Sequence, residues 1–168
     1  KKINECKKYI GEQSKDIEFQ KISQEWFKRS EDHKYSYNFE CLGRPIIQYP
    51  QDIIGLQEIL WKVKPDLIIE TGIARGGSLI FLAGILELIA VCGGSKNAKV
   101  IGIDIDIRKH NREALDKHPL RKRLELIEGS SIENEVISQV KELAKGVKNV
   151  MVFLDSNHSH DHVLAELY

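Results

Sequence analysis

Four short stretches of the sequence carry residue types at spacings that could do chemistry. Glu70-Thr71-Gly72-Ile73-Ala74-Arg75-Gly76-Gly77-Ser78 stands between two apolar runs. Its glycines allow close backbone approach, and a helix starting at its end offers unpaired amides to the anionic part of a nucleotide-like ligand. Read as a dinucleotide fingerprint it gives G-x-A-x-x-G, with Ala74 in the place of the middle glycine. The next strand-end acid, Asp104, also lies farther on than the usual spacing of about twenty residues. Read as E-x-G-x-x-x-G-x-S, the stretch sets Glu70 at a strand tip and Ser78 at a helix start, with no pyrophosphate to seat. Ser78 could equally be a helix N-cap and nothing more.

The second stretch, Gly102-Ile103-Asp104-Ile105-Asp106, ends an apolar run in a carboxylate able to accept two hydrogen bonds from a ribose diol, with Asp106 as a second candidate. Glu128-Gly129-Ser130-Ser131 ends another, and Ser131 could be only the N-cap of a helix beginning at Ile132. The fourth stretch is Leu154-Asp155-Ser156-Asn157-His158. An imidazole whose ordinary pKa is about 6.5 suits proton abstraction near neutrality, so His158 could serve as a base there or could only hydrogen-bond within the loop. His158-Ser159-His160-Asp161-His162 comes close to the H-x-H-x-D-H box of two-metal hydrolases, but is one residue short of it. His160 and His162 are therefore expected at the surface or at a helix start.

The elements that must position these groups follow from periodicity. Ile53 to Val63 has helical spacing and is stopped by Pro65; Asp66 to Glu70 is a short apolar strand; Leu79 to Cys92 is an apolar helix closed by Gly93 and Gly94. Val100 to Asp104 is a second strand, Arg108 to Lys117 a helix, and Leu124 to Glu128 a third strand. An amphipathic helix over Ile132 to Lys145, a strand over Val150 to Leu154 and a helix from His162 follow. Strands that read as continuous apolar runs, separated by helices, imply an α/β fold: a parallel sheet covered on both faces, with ligands at the carboxyl ends of its strands. Residues 1–50 read as a helical or irregular lead-in, irregular between Tyr35 and Pro50, and 51–168 as the α/β domain.

Composition narrows the classes. The chain has 168 residues, with 25 Lys plus Arg against 25 Asp plus Glu, so no net positive field favours nucleic acid. Its three cysteines, Cys6, Cys41 and Cys92, form no CxxC pair and suggest reduced thiols in the cytoplasm. Lys1 to Lys28 holds no continuous apolar region, and the Leu79 to Cys92 run, interrupted by Glu87, is too short to span a bilayer.

Together these segments resemble class I S-adenosylmethionine-dependent methyltransferases of the catechol O-methyltransferase-like branch. Within it, the chain is similar to the cephalosporin hydroxylase or rhamnosyl O-methyltransferase family. Leu42-Gly43-Arg44-Pro45-Ile46-Ile47-Gln48, Lys64 to Gly72, Gly102 to Arg108, Gly129-Ser130-Ser131 and Leu154 to His158 carry the resemblance, in the family's order. It implies a Rossmann-like three-layer sandwich, with S-adenosylmethionine held by Glu70, Gly72, Ala74, Gly76, Ser78, Asp104, Ser130 and Ser131. It further implies Mg²⁺ at Asp155, and His158 where catechol-type enzymes carry a lysine base. The implied acceptor is a hydroxyl of a sugar, on a polysaccharide or glycolipid, or of a small metabolite, and the chain could form a homo-oligomer. A methyltransferase sheet has more strands than the four read here, so the domain is expected to stop after its fourth strand. A non-catalytic nucleotide-binding module and an NAD-dependent oxidoreductase are the alternatives.

Overall fold

The computed structural model describes residues 2–168. Helices α1 (Lys2–Gln13) and α2 (Ile17–Asp32) come first; Asp16 caps α2 by accepting a hydrogen bond from the Phe19 amide at 2.9 Å. Two three-residue strands, β1 (Phe39–Cys41) and β2 (Arg44–Ile46), then pair as an antiparallel hairpin. This hairpin replaces the irregular segment expected between Tyr35 and Pro50. Its two-residue turn places both Leu42 (φ 47°) and Gly43 (φ 82°) in the left-handed region, as a type I′ turn requires. Leucine is not a residue that announces such a turn, and strands this short show no period. An aromatic cluster ties α2 to the hairpin: Trp26 meets Tyr35 edge-on, Tyr35 meets Phe39, and Phe27 stacks on Tyr49.

From here helices and strands alternate: α3 (Pro50–Val63), β3 (Leu67–Thr71), α4 (Gly77–Val91), β4 (Lys99–Asp104), α5 (Lys109–Asp116), β5 (Leu124–Glu128), α6 (Asn134–Leu143), β6 (Val150–Leu154) and α7 (His160–Leu167). Pro50 starts α3 at a position where no amide is needed, and Lys64 ends it in the left-handed conformation before Pro65. The four long strands form a parallel sheet in the order β5-β4-β3-β6. Its registers pair Ile68 with Val100 on one side and Met151 on the other, and Val100 with Leu124.

One face of the sheet is covered by α3, α4, α5 and the hairpin, which meet it through Leu60, Ile80, Leu115 and Ile46 around Ile68 and Val100. The other face packs Leu67, Ile101, Ile103 and Ile127 against Val136 and Val140 of α6. The result is the expected three-layer sandwich with a parallel sheet. The chain builds outward from β3 to β4 and β5, then returns to place β6 on the other side of β3. That reversal opens a crevice between the loops after β3 and β6, where α/β sheets bind ligands. Among the described residues no helix is long and apolar enough to cross a membrane.

Candidate cofactor cleft

The loop after β3 is fixed before any ligand arrives. Asp104, at the tip of β4, accepts hydrogen bonds through Oδ2 from the amides of Ile73 (2.8 Å) and Ala74 (3.1 Å), and through Oδ1 from the Asp106 amide (3.1 Å). From the other side, Asn111 on α5 donates to the Ala74 carbonyl at 2.9 Å. The Arg44 guanidinium donates to the Arg75 carbonyl and to Asn111 Oδ1. Ala74 is held at φ 47°, in the left-handed region where a fingerprint would place glycine.

Gly72 is required by a close approach. Its φ is +91°, and a Cβ there would lie 2.2 Å from the Asp155 carbonyl oxygen. The strand-end loops after β3 and β6 therefore touch backbone to backbone, with the Asp155 amide donating to Thr71 O at 3.0 Å. The hairpin approaches as closely from above α4, since a Cβ on Gly77 would meet Pro45 O at 2.2 Å.

Two adjoining cavities result. The larger, about 340 Å³, is lined by Gly72, Ala74, Asp104, Ser130, Ser131 and Asp155, all residues singled out from the sequence, together with Asn157 and His162. The smaller, about 220 Å³, lies under the hairpin and is lined by Gly72, Ala74, Ser78, Asp155 and His158, with Gln48 and Tyr37. Glu70 and Gly76 line neither. Gly76 is the N-cap of α4 with φ 81° and packs against Leu115, so Ser78 lies inside the helix and is not its cap. Glu70 is buried beneath the cleft, 4% exposed, with Oε2 unpartnered. Burial pushes its carboxyl up to about 8; a hydrogen bond from Ser78 opposes the shift and the Asp155 charge adds to it. Burial also raises the Asp155 carboxyl, partly offset by His158, whose Nε2 is 3.6 Å from Asp155 Oδ1. His158 itself is well exposed.

Ser131 is not a helix cap, because α6 begins only at Asn134 after Glu133. Its hydroxyl donates instead to Glu166 on α7 at 2.6 Å. His162 lies in the first turn of α7, a helix start as expected, and is largely enclosed: its side chain is 18% exposed and sits among Ser131, Ser156 and Glu166. His160, the first residue of α7, is exposed. The part played by α7 was invisible in sequence spacing, since Glu166 and Ser131 are 35 residues apart. Burial would raise the Glu166 carboxyl, but hydroxyls of Ser131, Ser156 and Thr71, with His162 nearby, hold it below its ordinary value.

Among the described residues no group of three or more His, Cys, Asp or Glu side chains is placed to hold a metal. All three cysteines are free.

Known proteins share both the sequence and the shape. A rhamnosyl O-methyltransferase of Mycobacterium tuberculosis (strain ATCC 25618 / H37Rv) is 33% identical over 118 residues, 69% of this chain and 44% of the relative. A rhamnosyl O-methyltransferase of Mycobacterium leprae (strain TN) is 30% identical over 142 residues, 80% of this chain and 58% of the relative. The chain thus spans about half the length of the curated relatives it matches. A solved structure of CmcI with SAH superposes with a TM-score of 0.53 at 16% identity, over 76% of this chain and 58% of that one. One of CmcI with Mg-SAM gives 0.53 at 18% identity, over 76% and 50%. At such identities these two structures bear on the fold alone. The family model described as rhamnosyl O-methyltransferase/CmcI matches residues 33–168, from just before the hairpin through α7, and the chain belongs to that family.

Proposed function

We propose that the cleft binds S-adenosylmethionine and that the chain is the cofactor-holding part of an enzyme that methylates a hydroxyl group. The observation that carries this reading is the convergence of the clamped turn, Asp104, Ser131 and Asp155 on one cavity at the carboxyl edge of a parallel sheet. The family supports it, and the residues suit the ligand. Gly72, Ala74 and Gly76 shape the turn, Gly72 and Ala74 line both cavities, and Ser78 joins them in the smaller one. Glu70 underlies the turn. Asp104 keeps one lone pair, on Oδ1, for a ribose hydroxyl beyond the three amides it already accepts. Ser130 and Ser131 offer small polar groups to the base.

When bound, the cofactor supplies an electrophilic methyl group on sulfur. The chain's own part is to position that group and to hold the proton of the acceptor. His158 lines the smaller cavity, with its Nε2 3.6 Å from Asp155 Oδ1. A general base so placed contributes about 10²–10⁴-fold. Asp155 is the residue assigned to Mg²⁺. One carboxylate is far short of the near-octahedral oxygen set that Mg²⁺ takes, so no step above rests on the ion. A sugar hydroxyl is the proposed acceptor, because the curated relatives are named for one.

Isothermal calorimetry tests the cofactor directly. S-adenosylhomocysteine should bind this chain and NADH should not; tighter binding of NADH would overturn the class.

A further inference from the structure

Glu166 turns its carboxylate into the protein, 2% exposed, where Oε1 accepts from Ser131 Oγ at 2.6 Å and from Ser156 Oγ at 2.9 Å. A hydroxyl has one proton to give. Both serines have given theirs to Glu166, so towards any third group their oxygens can only accept. That third group is His162. Its Nε2 lies 3.2 Å from Ser131 Oγ, 3.4 Å from Ser156 Oγ and 3.4 Å from Glu166 Oε1. Three acceptors around one ring nitrogen place the proton on Nε2, and in the neutral ring Nδ1 is then left with a lone pair.

The cluster is not a hydrolytic triad. There the acid and the hydroxyl occupy opposite nitrogens of the imidazole, whereas here both crowd Nε2. What it produces is an oriented acceptor. Nδ1 has no protein partner among the described residues, and His162 lines the 340 Å³ cavity with Gly129, Ser130 and Ser131.

We propose that His162 selects the base of the bound nucleoside, its Nδ1 accepting from the exocyclic 6-amino group of adenine and repelling the oxygen of a 6-oxo purine. The proposal rests on the reading of this cavity as the nucleoside site. A buried carboxylate fixes two hydroxyls, the hydroxyls fix a tautomer, and the tautomer leaves Nδ1 as an acceptor on a residue that lines the cavity. An uncharged acceptor complements the donor that adenine carries and hypoxanthine lacks. Discrimination of this kind arises because the wrong base leaves a polar group unpaired.

Two measurements test it. Long-range proton–nitrogen spectra of the histidine side chains, with His162 assigned by its loss in His162→Phe or by selective labelling, should show the neutral ring protonated at Nε2. A ring protonated at Nδ1 overturns the proposal. Calorimetry should then show S-adenosylhomocysteine binding the unaltered chain about tenfold tighter than S-inosylhomocysteine. In His162→Phe that ratio should fall to within about twofold. A variant that weakens both ligands equally and keeps the ratio makes His162 merely structural and overturns the proposal, as does a chain that binds both ligands alike. If the unaltered chain binds neither nucleoside, the cofactor reading falls as well. Should His162→Phe fail to fold, the tautomer and the ratio in the unaltered chain still decide.

Discussion

Gly72→Ala tests whether the cleft depends on backbone contact between the loops after β3 and β6. Two costs are expected. The first is conformational: at φ +91° an alanine gives up about 1–2 kcal/mol that glycine does not. The second is steric, since the new Cβ would lie 2.2 Å from Asp155 O and 2.7 Å from Asp155 C, both backbone atoms that cannot rotate aside. Relief requires the end of β6 to move off β3, loosening the hydrogen bond from the Asp155 amide to Thr71 O. Overpacking of this kind costs about 1–3 kcal/mol, so the sum is about 2–5 kcal/mol. Two other glycines separate the parts. Gly93, at φ +90° with open space around it, should show only the conformational cost, about 1–2 kcal/mol. Gly55, helical in α3 and open, should stabilise by about 0.5–1 kcal/mol when changed to alanine. Urea unfolding at constant m-value reads all three. If Gly72→Ala costs no more than Gly93→Ala, the close approach does not matter to the fold and the reasoning fails.

Glu70 carries a pH signature. Its folded carboxyl sits at about 8 against an ordinary 4.5, so the folded chain retains a proton that the unfolded chain has lost. The stability this confers is complete below about 4.5 and drains away as pH rises through about 8. Unfolding at pH 6 and pH 9 should show a smaller drop in Glu70→Gln than in the unaltered chain; equal drops exclude Glu70 as the source. Glu87 has the opposite sign: the guanidinium of Arg123 and the ammonium of Lys122 hold it down to about 2. Glu87→Gln leaves the Arg123 side chain, 6% exposed, short of its counter-charge and should cost about 2–4 kcal/mol at pH 7. That penalty should shrink as pH falls from about 4.5 towards 2, and a constant penalty argues against the ion pair as its cause. His158→Gln should reduce methyl transfer to a sugar acceptor by at least about 100-fold while S-adenosylhomocysteine affinity stays within about twofold. A variant that keeps its rate removes His158 from the base role.

How much of this was legible in the sequence depends on where each determinant resides. Leu124–Glu128 and Val150–Leu154 are strands with the bounds their apolar runs predict, and Leu67–Thr71 is displaced by one residue. Runs bounded by polar or turn residues carry that information locally. The start of α4 was misplaced because Gly76 takes a left-handed conformation and acts as the cap itself, two residues before the serine that looks like one. The hairpin was missed because its turn is fixed by packing on α4 and not by a turn sequence. The surroundings of Ser131 are hidden from local pattern for a different reason. Ser131 looks like an ordinary loop residue until α7 folds back and brings His162 and Glu166 to it, and no local pattern encodes contacts across 31 and 35 residues.

The departure at Ala74 makes the same point in energetic terms. Counted against a dinucleotide fingerprint, an alanine in place of glycine weakens the case for a nucleotide site. The structure shows Ala74 in the conformation glycine would take, at φ 47°, at a cost of about 1–2 kcal/mol. Two hydrogen bonds oppose that cost: the Ala74 amide donates to the Asp104 carboxylate at 3.1 Å, and its carbonyl accepts from Asn111 at 2.9 Å. A bond to a charged group contributes about 1.5–3 kcal/mol and a neutral one about 1, so the pair outweighs the strain. The turn keeps its shape because β4 and α5 impose it, and the glycine that a sequence pattern looks for is not needed. A motif search reads the residue; the ligand meets the backbone, and here the backbone is set by Asp104 and Asn111, 30 and 37 residues away.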